Sequence, residues 1–403
     1  MRVLQVNCVF QKGSTGKITN DLHRYYESIG IESYVIYGRG KKVSEKRVYK
    51  VASELGSKMR NLISRYTGNI YGMGRNGFYK TVSLLKRIRP DVVHLQCING
   101  FFIDIYRLLS YLKKENIPTV VTLHAEFLHT GNCGYAFECD GWKSGCLQCP
   151  NVWSAIASRN AKAPKSNWMK MKKAFEGFDN LRVVGVSNWI SSRAKESPIL
   201  AGKSINTVFN GLDDGIFFHR SELLEDAHKI HGENKKILLF VTPYFEDDNK
   251  GGKWILQLAQ RMSDQLVQFV VIGRAKKEYA YKNIHFIGPT SNAVELAKWY
   301  SSADLTLLVS KQETFSMICA ESLCCGTPIV GFRAGAPELI ALKEYSSFVP
   351  YGDLDSLVAQ IDLWLQKDID RIAISDKARS IYSKSKMAEN YLKEYELLIS
   401  EKR

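Results

Sequence analysis

The sequence contains no run of 18 or more apolar residues, so it predicts no membrane-spanning helix. It begins with the strand-like pattern Met1-Arg2-Val3-Leu4-Gln5 rather than with a charged leader and a cleavage site. Internal repeats and low-complexity tracts are also absent. Together these absences predict a cytoplasmic globular protein. With 403 residues, 45% of them hydrophobic, the chain is long enough for two domains of about 200 residues each.

Acidic residues are missing from residues 58–89, where eight lysines and arginines are interleaved with apolar and aromatic residues. The net charge of +15 indicates an anionic partner without naming it. The stretch could be a solvated helical face, a nucleic-acid surface or a membrane surface. Apolar residues at helical spacing among cations favour an anionic membrane surface at the inner leaflet, and we expect no nucleic-acid partner.

A disulfide framework is not expected for the nine cysteines, because no secretion signal precedes them. Four of them form the pattern C-x5-C-x6-C-x2-C: Cys133, Cys139, Cys146 and Cys149. This spacing in a glycine-rich stretch favours a structural zinc site, with unliganded thiols and a disulfide as alternatives. Four thiolates would leave no open position on the metal, so we expect no catalytic metal here.

Strand and helix patterns alternate through both halves of the chain. Continuous β-branched strands separated by helices predict an α/β fold with parallel sheets buried on both faces. The predicted strands begin at residues 3, 34, 91, 119, 182, 236, 269, 285, 304 and 328, and a helix is predicted over residues 18–28. The sequence therefore predicts domains at residues 1–213 and 214–379, with a boundary in the polar stretch 213–235. A terminal helix over residues 380–403 completes the prediction.

The most informative stretch is residues 313–321, Glu-Thr-Phe-Ser-Met-Ile-Cys-Ala-Glu. It follows an apolar strand, and a helix is predicted to start at Phe315 or Ser316. A helix N-terminus is suited to a diphosphate, because its first N–H groups lack partners within the helix. Glu313 lies at this site and Glu321 about 8 Å along the helix axis, at 1.5 Å per residue. One ligand could then place a sugar at Glu313, phosphates at Phe315, Ser316 and Met317, and a ribose at Glu321.

This arrangement resembles the E-x7-E signature of the retaining glycosyltransferases of family 4. Three other stretches extend the resemblance in the family's order: Val208 to Asp213, Asn249-Lys250-Gly251, and Gly335 to Ile340. The resemblance implies the GT-B fold, in which two doubly wound Rossmann-like domains face each other across a cleft. It also implies that the terminal helix crosses back onto the first domain.

The resemblance implies roles for two cations of the second half. Lys250 would neutralise the leaving diphosphate, since a positioned cation stabilises charge that develops in the transition state. Many relatives carry an arginine a few residues before this lysine, whereas residues 241–249 contain none. Either Arg274 supplies the second charge or Lys250 works alone. For both residues the alternative is a solvated surface cation.

Two features of the first half have weaker signals. Gly13-Ser14-Thr15-Gly16-Lys17 is too short for a Walker A loop, but Gly13 and Gly16 would let backbone approach a donor phosphate or the acceptor. A plain strand-to-helix turn is the alternative. His124 ends a strand where family members commonly carry a histidine near the donor sugar. It would make a polar contact with the sugar rather than act as a nucleophile, unless it is only a structural hydrogen-bonder.

The sequence thus predicts a metal-independent retaining hexosyltransferase that moves a sugar from a nucleoside-diphosphate sugar. The expected acceptor is a glycan or a polyprenyl-diphosphate-linked glycan in capsular or exopolysaccharide biosynthesis. Glu313, Lys250 and His124 are the predicted catalytic residues. The rival interpretations are a nucleotide-sugar epimerase of the same fold and a non-catalytic carbohydrate-binding or nucleic-acid-binding protein.

Overall fold

The computed structural model describes residues 1–222, 224–263 and 266–400. They form two compact units. The first comprises Met1–Phe209 together with the chain from Met387 onward, and the second comprises Asn210–Lys386. The division therefore falls at 209/210 rather than inside the predicted boundary stretch, of which Leu223 lies outside the described residues. No helix of the described residues is long and apolar enough to cross a membrane.

The first unit is built on a seven-stranded sheet whose neighbouring strands are all parallel, in the order β3-β2-β1-β4-β5-β6-β7. Three of these strands, β4, β5 and β6, are buried at every residue, as a sheet covered by helices on both faces requires. The strands are β1 (Arg2–Val9), β2 (Glu32–Arg39), β3 (Val48–Lys50), β4 (Val92–Leu95), β5 (Thr119–Leu123), β6 (Leu181–Gly185) and β7 (Ser204–Thr207).

The second unit has a six-stranded sheet, also parallel at every pairing, in the order β10-β9-β8-β11-β12-β13. The two parallel sheets confirm the predicted α/β class. Their short outer strands β3, β7 and β13 lacked a recognisable sequence pattern. The strands are β8 (Lys236–Tyr244), β9 (Val267–Arg274), β10 (Ile284–Phe286), β11 (Leu305–Leu308), β12 (Ile329–Phe332) and β13 (Ser346–Val349).

Helices connect the strands in both units. Those of residues 1–209 are α1 (Gly13–Ser28), α2 (Glu54–Thr67), α3 (Arg75–Ile88), α4 (Ile105–Lys114), α5 (Phe127–Thr130), α6 (Val152–Ile156), α7 (Ala163–Phe175) and α8 (Asn188–Lys195). The later ones are α9 (Glu225–Gly232), α10 (Gly252–Arg261), α11 (Ala293–Ser302), α12 (Met317–Cys324), α13 (Pro337–Ile340), α14 (Leu354–Leu365), α15 (Arg371–Tyr382) and α16 (Lys384–Ser400). Helix α1 begins five residues before its predicted start at Ile18, so the glycine stretch forms its first turn.

Helix α16 completes the core of the first unit. Its residues Met387, Tyr391, Tyr395 and Leu398 are buried against side chains of β1, β4, β5 and β6. Each such burial contributes on the order of 1.5–3 kcal/mol. The predicted terminal helix is in fact two helices separated at Ser383, and its last residues, 401–403, lie outside the described residues.

Candidate functional site

The centre of the site is an ion pair between two loops of the second unit. One loop follows β8 and ends at α10, and the other follows β11 and ends at α12. Nζ of Lys250 donates to Oε1 of Glu313 over 2.6 Å. Both side chains are mostly covered, with exposed fractions of 21% and 9%. The two residues that the sequence predicted as catalytic partners of the leaving group and the sugar are therefore in direct contact.

Asn249 fastens these two loops to each other. Its Nδ2 donates to Gln312 O and its Oδ1 accepts from Gln312 N, each over 3.0 Å. Its backbone oxygen accepts from Lys311 N over 2.7 Å. Gly251 follows Lys250 with φ +80°, and a Cβ there would lie 2.2 Å from Val309 O. Only glycine permits this approach, so Lys250 is held where it meets Glu313.

The backbone of Glu313 is held separately by the loop that follows β12. Glu313 N donates to Ala334 O over 2.8 Å, and Ala336 N donates to Glu313 O over 3.2 Å. Glu338 accepts from the amides of Ala334 and Gly335, each over 3.0 Å. The glutamate of the Gly335–Ile340 stretch thus supports the loop that carries Glu313.

The start of helix α12 is strained at its capping residue. Ser316 has φ +77°, a conformation that side chains rarely adopt, and its Oγ accepts from Cys319 N over 3.3 Å. Such strain clusters at ligand sites. Phe315 is buried, with its ring centroid 6.2 Å from that of Tyr382. Its side chain is therefore part of the core, and a ligand could meet only its backbone. Met317 is the first helical residue and is half-buried.

Glu321 lies just over one turn into α12, because the helix begins at Met317 rather than at Phe315 or Ser316. The hydroxyl of Tyr300, on α11, donates to Glu321 Oε2 over 3.0 Å. Tyr300 is fully buried, and its burial, followed by the nearby carboxylate, raises its pKa well above the ordinary value. The hydroxyl therefore stays protonated and orients the carboxylate of Glu321. A carboxylate offers about four acceptor positions, so this contact leaves Glu321 able to bind ribose hydroxyls.

Arg274 is the last residue of β9, the strand beside β8, and its side chain is exposed. Its backbone oxygen accepts from Phe245 N over 2.8 Å, which places it at the same edge of the sheet as the Lys250 loop. Among the described residues, no hydrogen bond or ion pair joins it to Lys250 or Glu313. The structure thus brings Lys250 and Glu313 together and leaves Arg274 nearby on the sheet edge.

In the first unit, His124 directly follows β5, and its Nε2 lies 2.7 Å from Gln96 Oε1. Burial lowers the pKa of His124 to about 4, so the ring is neutral at neutral pH. Gly13 is the first residue of α1, with φ +63°. A Cβ at Gly16 would lie 3.1 Å from the Val9 side chain, so this glycine serves close packing of α1 on the strand end.

The four-cysteine loop is held close together. Thr130 Oγ1 donates to Cys133 O over 3.0 Å, and Sγ of Cys146 lies 3.8 Å from Thr130 O. Burial, and then the thiols of Cys146, Cys149 and Cys139, raise the pKa of Cys133 to about 12. All nine cysteines carry free thiols. Within residues 1–222, 224–263 and 266–400, no group of three or more His, Cys, Asp or Glu side chains is arranged to hold a metal ion. Zinc stays a prediction.

Four residues of the site had no role predicted from the sequence. Gln96 and its neighbour His94 are polar residues in and after an otherwise apolar strand, which is a signal that could have been used. Asn249 was named only as part of the Asn249-Lys250-Gly251 stretch, and nothing in this polar loop indicated that its side chain bonds Gln312. Tyr300 gives no signal at all, because only the packing of α11 beside α12 brings it to Glu321.

The chain is similar in sequence to known glycosyltransferases. Residues 235–367 match the family model described as glycosyl transferases group 1. Over 417 aligned residues the chain is 21% identical to a protein of Escherichia coli (strain K12) named provisionally as colanic acid biosynthesis glycosyl transferase WcaC, covering 99% of this chain and 100% of that protein.

Solved structures show the same fold. Sucrose-phosphate synthase from Thermosynechococcus elongatus aligns with a TM-score of 0.69 at 13% identity, covering 99% of each chain. HepE from Anabaena in complex with UDP-glucose aligns with a TM-score of 0.63 at 13% identity, covering 98% of each chain. The fold is that of the GT-B glycosyltransferases. The match to the group 1 glycosyl transferase model lies in residues 235–367, which belong to the second unit.

Proposed function

We propose that this protein is a glycosyltransferase that transfers a sugar from a nucleoside-diphosphate sugar to a glycan with retention at the anomeric carbon, without a catalytic metal. The observation that carries the proposal is the Lys250–Glu313 pair, held over 2.6 Å beside the strained start of α12. A cation and the N–H groups of a helix N-terminus together suit a leaving diphosphate. The complex of HepE with UDP-glucose supports a nucleotide-sugar donor.

In this reaction the bond between the anomeric carbon and the diphosphate oxygen breaks, and its electron pair leaves with the diphosphate. Lys250 stabilises that negative charge, because an ammonium has three N–H donors and can bond a phosphate oxygen as well as Glu313. The acceptor hydroxyl attacks the same face of the sugar, and its proton passes to the departing phosphate oxygen. Glu313 holds the sugar and stabilises the positive charge of its oxocarbenium-like state, while Glu321 binds the ribose. The polar contact of His124 with the sugar stays a prediction.

Donor hydrolysis tests this proposal directly. Purified protein is incubated with UDP-, GDP- and ADP-sugars, and release of the nucleoside diphosphate is measured. We expect hydrolysis of one nucleotide class, and loss of that hydrolysis in Glu313→Gln. Because the carboxylate stabilises charge in the transition state, the loss should be about 100-fold or more. Failure to hydrolyse or bind any of these donors would contradict the proposal.

We further infer that the acceptor belongs to capsular or exopolysaccharide assembly at an anionic membrane. The full-length match to WcaC, named for colanic acid biosynthesis, supports the setting. An exposed apolar face of helix α2 supports the proposed contact with a membrane. The side of α2 turned to the protein carries the buried residues Ser57 and Ser64. Its exposed side carries five large apolar side chains: Leu55, Met59, Leu62, Ile63 and Tyr66.

These five side chains are 47% to 73% exposed and follow the helical spacing of a single face. We call them the α2 stripe. Lys58 and Arg65 lie on the same helix, whose one acidic residue, Glu54, is paired with Arg39 over 3.0 Å. An apolar stripe among cations fits a bilayer with anionic headgroups, because the stripe enters the acyl boundary while the cations meet phosphates.

The structure changes which cations contribute to this surface. Arg60 was counted among them, but its Nε donates to Phe101 O over 2.6 Å and its Nη2 to Ser57 Oγ over 3.2 Å. Its pKa is lowered by burial. Arg60 therefore holds α2 against the loop after β4, and the membrane contact depends on the α2 stripe and the remaining cations.

Vesicle sedimentation tests the membrane proposal. The variant Met59→Ser/Ile63→Ser should lose most of its binding to vesicles containing anionic lipid, while donor hydrolysis is unchanged. The control is Ile372→Ser, which removes an even more exposed apolar side chain from the second unit. Binding should also weaken with salt, since exposed charges are screened over about 8 Å at physiological ionic strength. Equal vesicle binding by both variants would indicate that the α2 stripe contacts another protein or only solvent.

A further inference from the structure

A chain of hydrogen bonds connects the half-buried His124 to the interior of the first unit. His124 Nε2 lies 2.7 Å from Oε1 of Gln96. Nε2 of Gln96 lies 3.3 Å from Oε1 of Gln5 and 3.3 Å from Nδ1 of His94. Gln5, His94 and Gln96 have no exposed surface. Each of these side chains therefore depends on the others to satisfy its polar atoms.

One backbone carbonyl decides the direction of every bond in this chain. Nε2 of Gln5 lies 3.2 Å from the oxygen of Thr19, in helix α1. A carbonyl oxygen can only accept, so the amide nitrogen of Gln5 must face it, and Gln5 Oε1 must face Gln96. Gln96 therefore donates to Gln5 through its own nitrogen and presents Oε1 to His124. Since that oxygen can only accept, Nε2 of His124 must carry a proton.

The donors and acceptors are fixed in the same way as far as helix α16. Because Gln96 donates to His94, Nδ1 of His94 is an acceptor, and its single lone pair is shared between the Gln96 amide at 3.3 Å and the closer hydroxyl of Tyr395 at 2.6 Å. Nε2 of His94 then carries the proton and donates to Thr122 Oγ1 over 2.7 Å. Thr122 in turn donates to the hydroxyl of Tyr391 over 3.0 Å. Two tyrosines of α16 thus end a single, internally consistent chain.

We propose that Gln96 is a positioning residue that holds His124 in the Nε2–H tautomer, with Tyr395 of helix α16 fixing the orientation of the chain behind it. In this tautomer Nδ1 of His124 can accept a hydrogen bond but cannot donate one. His124 then acts on a sugar hydroxyl as an acceptor and not as a general acid. That last step rests on the proposed function, whereas the tautomer is a property of the protein without substrate.

Burial supports a neutral ring at both histidines. The pKa of His124 is lowered to about 4, and that of His94 well below its ordinary value, in each case chiefly because burial disfavours the charged form. Neutral rings have one protonated nitrogen each, so the chain of donors and acceptors described above specifies the tautomer of both.

Nitrogen NMR of the full chain tests the proposal. The chain contains eight histidines, and uniform ¹⁵N-histidine labelling with a His124→Asn variant assigns the signals of His124. At neutral pH we expect Nε2 at the position of a protonated ring nitrogen and Nδ1 at that of an unprotonated one. A protonated Nδ1, or an imidazolium ring, would overturn the proposal without any further variant.

Two substitutions at position 96 separate positioning from support of the fold. In Gln96→Leu the ring loses its acceptor, so signals of the Nδ1–H tautomer should appear. In Gln96→Glu the carboxylate still accepts from Nε2, so the tautomer is retained while protonation of the ring moves to higher pH. The matched control Tyr391→Phe removes a buried hydroxyl of α16 whose effect on Gln96 passes only through Thr122 and His94, and it should leave the His124 signals unchanged. Unaltered signals in Gln96→Leu would contradict the proposal.

Kinetics then distinguish this inference from the proposed function. If both hold, Gln96→Leu lowers kcat about tenfold with little change in the donor KM, since one net hydrogen bond contributes about that factor. Gln96→Glu should restore part of kcat. If the NMR result holds but kcat is unchanged in Gln96→Leu, the tautomer assignment stands and the role of His124 at the sugar fails.

Discussion

Lys250 and Glu313 are 63 positions apart in the chain, yet Nζ of the first lies 2.6 Å from Oε1 of the second. The contact follows from the order of the second sheet, in which β8 and β11 are neighbours although β9 and β10 lie between them in the sequence. The loops that leave the carboxyl ends of neighbouring parallel strands meet at one edge, which is where ligands bind in such sheets.

The two glutamates of residues 313–321 should fail in different ways. Glu321→Ala should weaken binding of the nucleoside diphosphate by about 1.5–3 kcal/mol, the contribution of hydrogen bonds to a charged group. Tyr300→Phe should weaken it less, because it removes only the hydroxyl that orients Glu321. Glu313→Ala should lower turnover far more than it lowers affinity. Calorimetric titration and initial rates measure the two effects, with the exposed Glu344→Ala as control.

Equal losses of nucleoside-diphosphate affinity in Glu313→Ala and Glu321→Ala would contradict this division of roles. A third outcome, normal affinity in both variants with reduced turnover, would place the nucleotide elsewhere on the second unit.

Acid should destabilise the first unit through its buried histidines. The folded-state pKa values of His94 and His124 lie below the ordinary value of 6.5, so between pH 6.5 and about 4 the unfolded chain binds more protons than the folded one. The free energy of unfolding therefore falls as the pH falls through this window. Each histidine contributes a slope of up to about 1.4 kcal/mol per pH unit. Urea unfolding at several pH values in this range measures the free energy of unfolding. For His124→Gln this free energy should change less per pH unit than for the natural chain.

A buried ion pair should be essential to the loop that carries the four cysteines. Arg193 Nε donates to Oε1 of Glu126 over 2.7 Å, and Ala136 N donates to Oε2 over 2.6 Å. Burial alone would raise the pKa of Glu126, but His129, Arg193 and the Ala136 amide together lower it. Removing one member of a buried pair costs about 3–5 kcal/mol, so Glu126→Ala should lower the free energy of unfolding by that amount.

The double variant Glu126→Leu/Arg193→Met provides the comparison. It removes both charges, so it should be more stable than Glu126→Ala alone. A single variant that unfolds like the natural chain would show that this pair does not hold the loop.

Metal content and metal dependence should be unrelated in this protein. If the cysteine loop binds zinc, purified protein contains about one zinc per chain, and Cys146→Ser/Cys149→Ser contains none. Transfer should nevertheless continue for minutes after addition of EDTA, because Lys250 and the helix N–H groups stabilise the leaving group. Activity that disappears within seconds and returns with Mg²⁺ would contradict the proposed chemistry, whereas protein without zinc would remove only the zinc prediction.

The sequence predicted what depends on local pattern. The long buried strands and the start of α12 after its capping residue Ser316 follow from apolar runs and from the change of period after Ser310. The short strands β3, β7 and β13 did not, because three or four residues at a sheet edge give no distinct periodicity. The sequence also did not predict the break at Ser383 within the terminal helix.

Contacts made by the fold were beyond the sequence. The charge on Arg60 indicated a surface cation, but its guanidinium donates a hydrogen bond to Phe101 O. The dependence of His124 on Gln96, and of Glu321 on Tyr300, requires knowing which strands and helices are neighbours. Single-sequence patterns identify residue types that can do chemistry, whereas partners far apart in the chain become visible only in the folded unit.

Helix α16 gives the first unit a particular order of assembly. Residues 1–209 leave the ribosome long before residues 387–400, yet their core includes Tyr391 and Tyr395. Until residues 387–400 are synthesised, the apolar groove that receives α16 therefore stays open, while residues 210–386 can fold in the interval. The first unit is therefore synthesised first but completed last. A fragment ending at residue 209 would lack α16, so it would expose His94 and the side chains hydrogen-bonded to it, which are buried in the full protein.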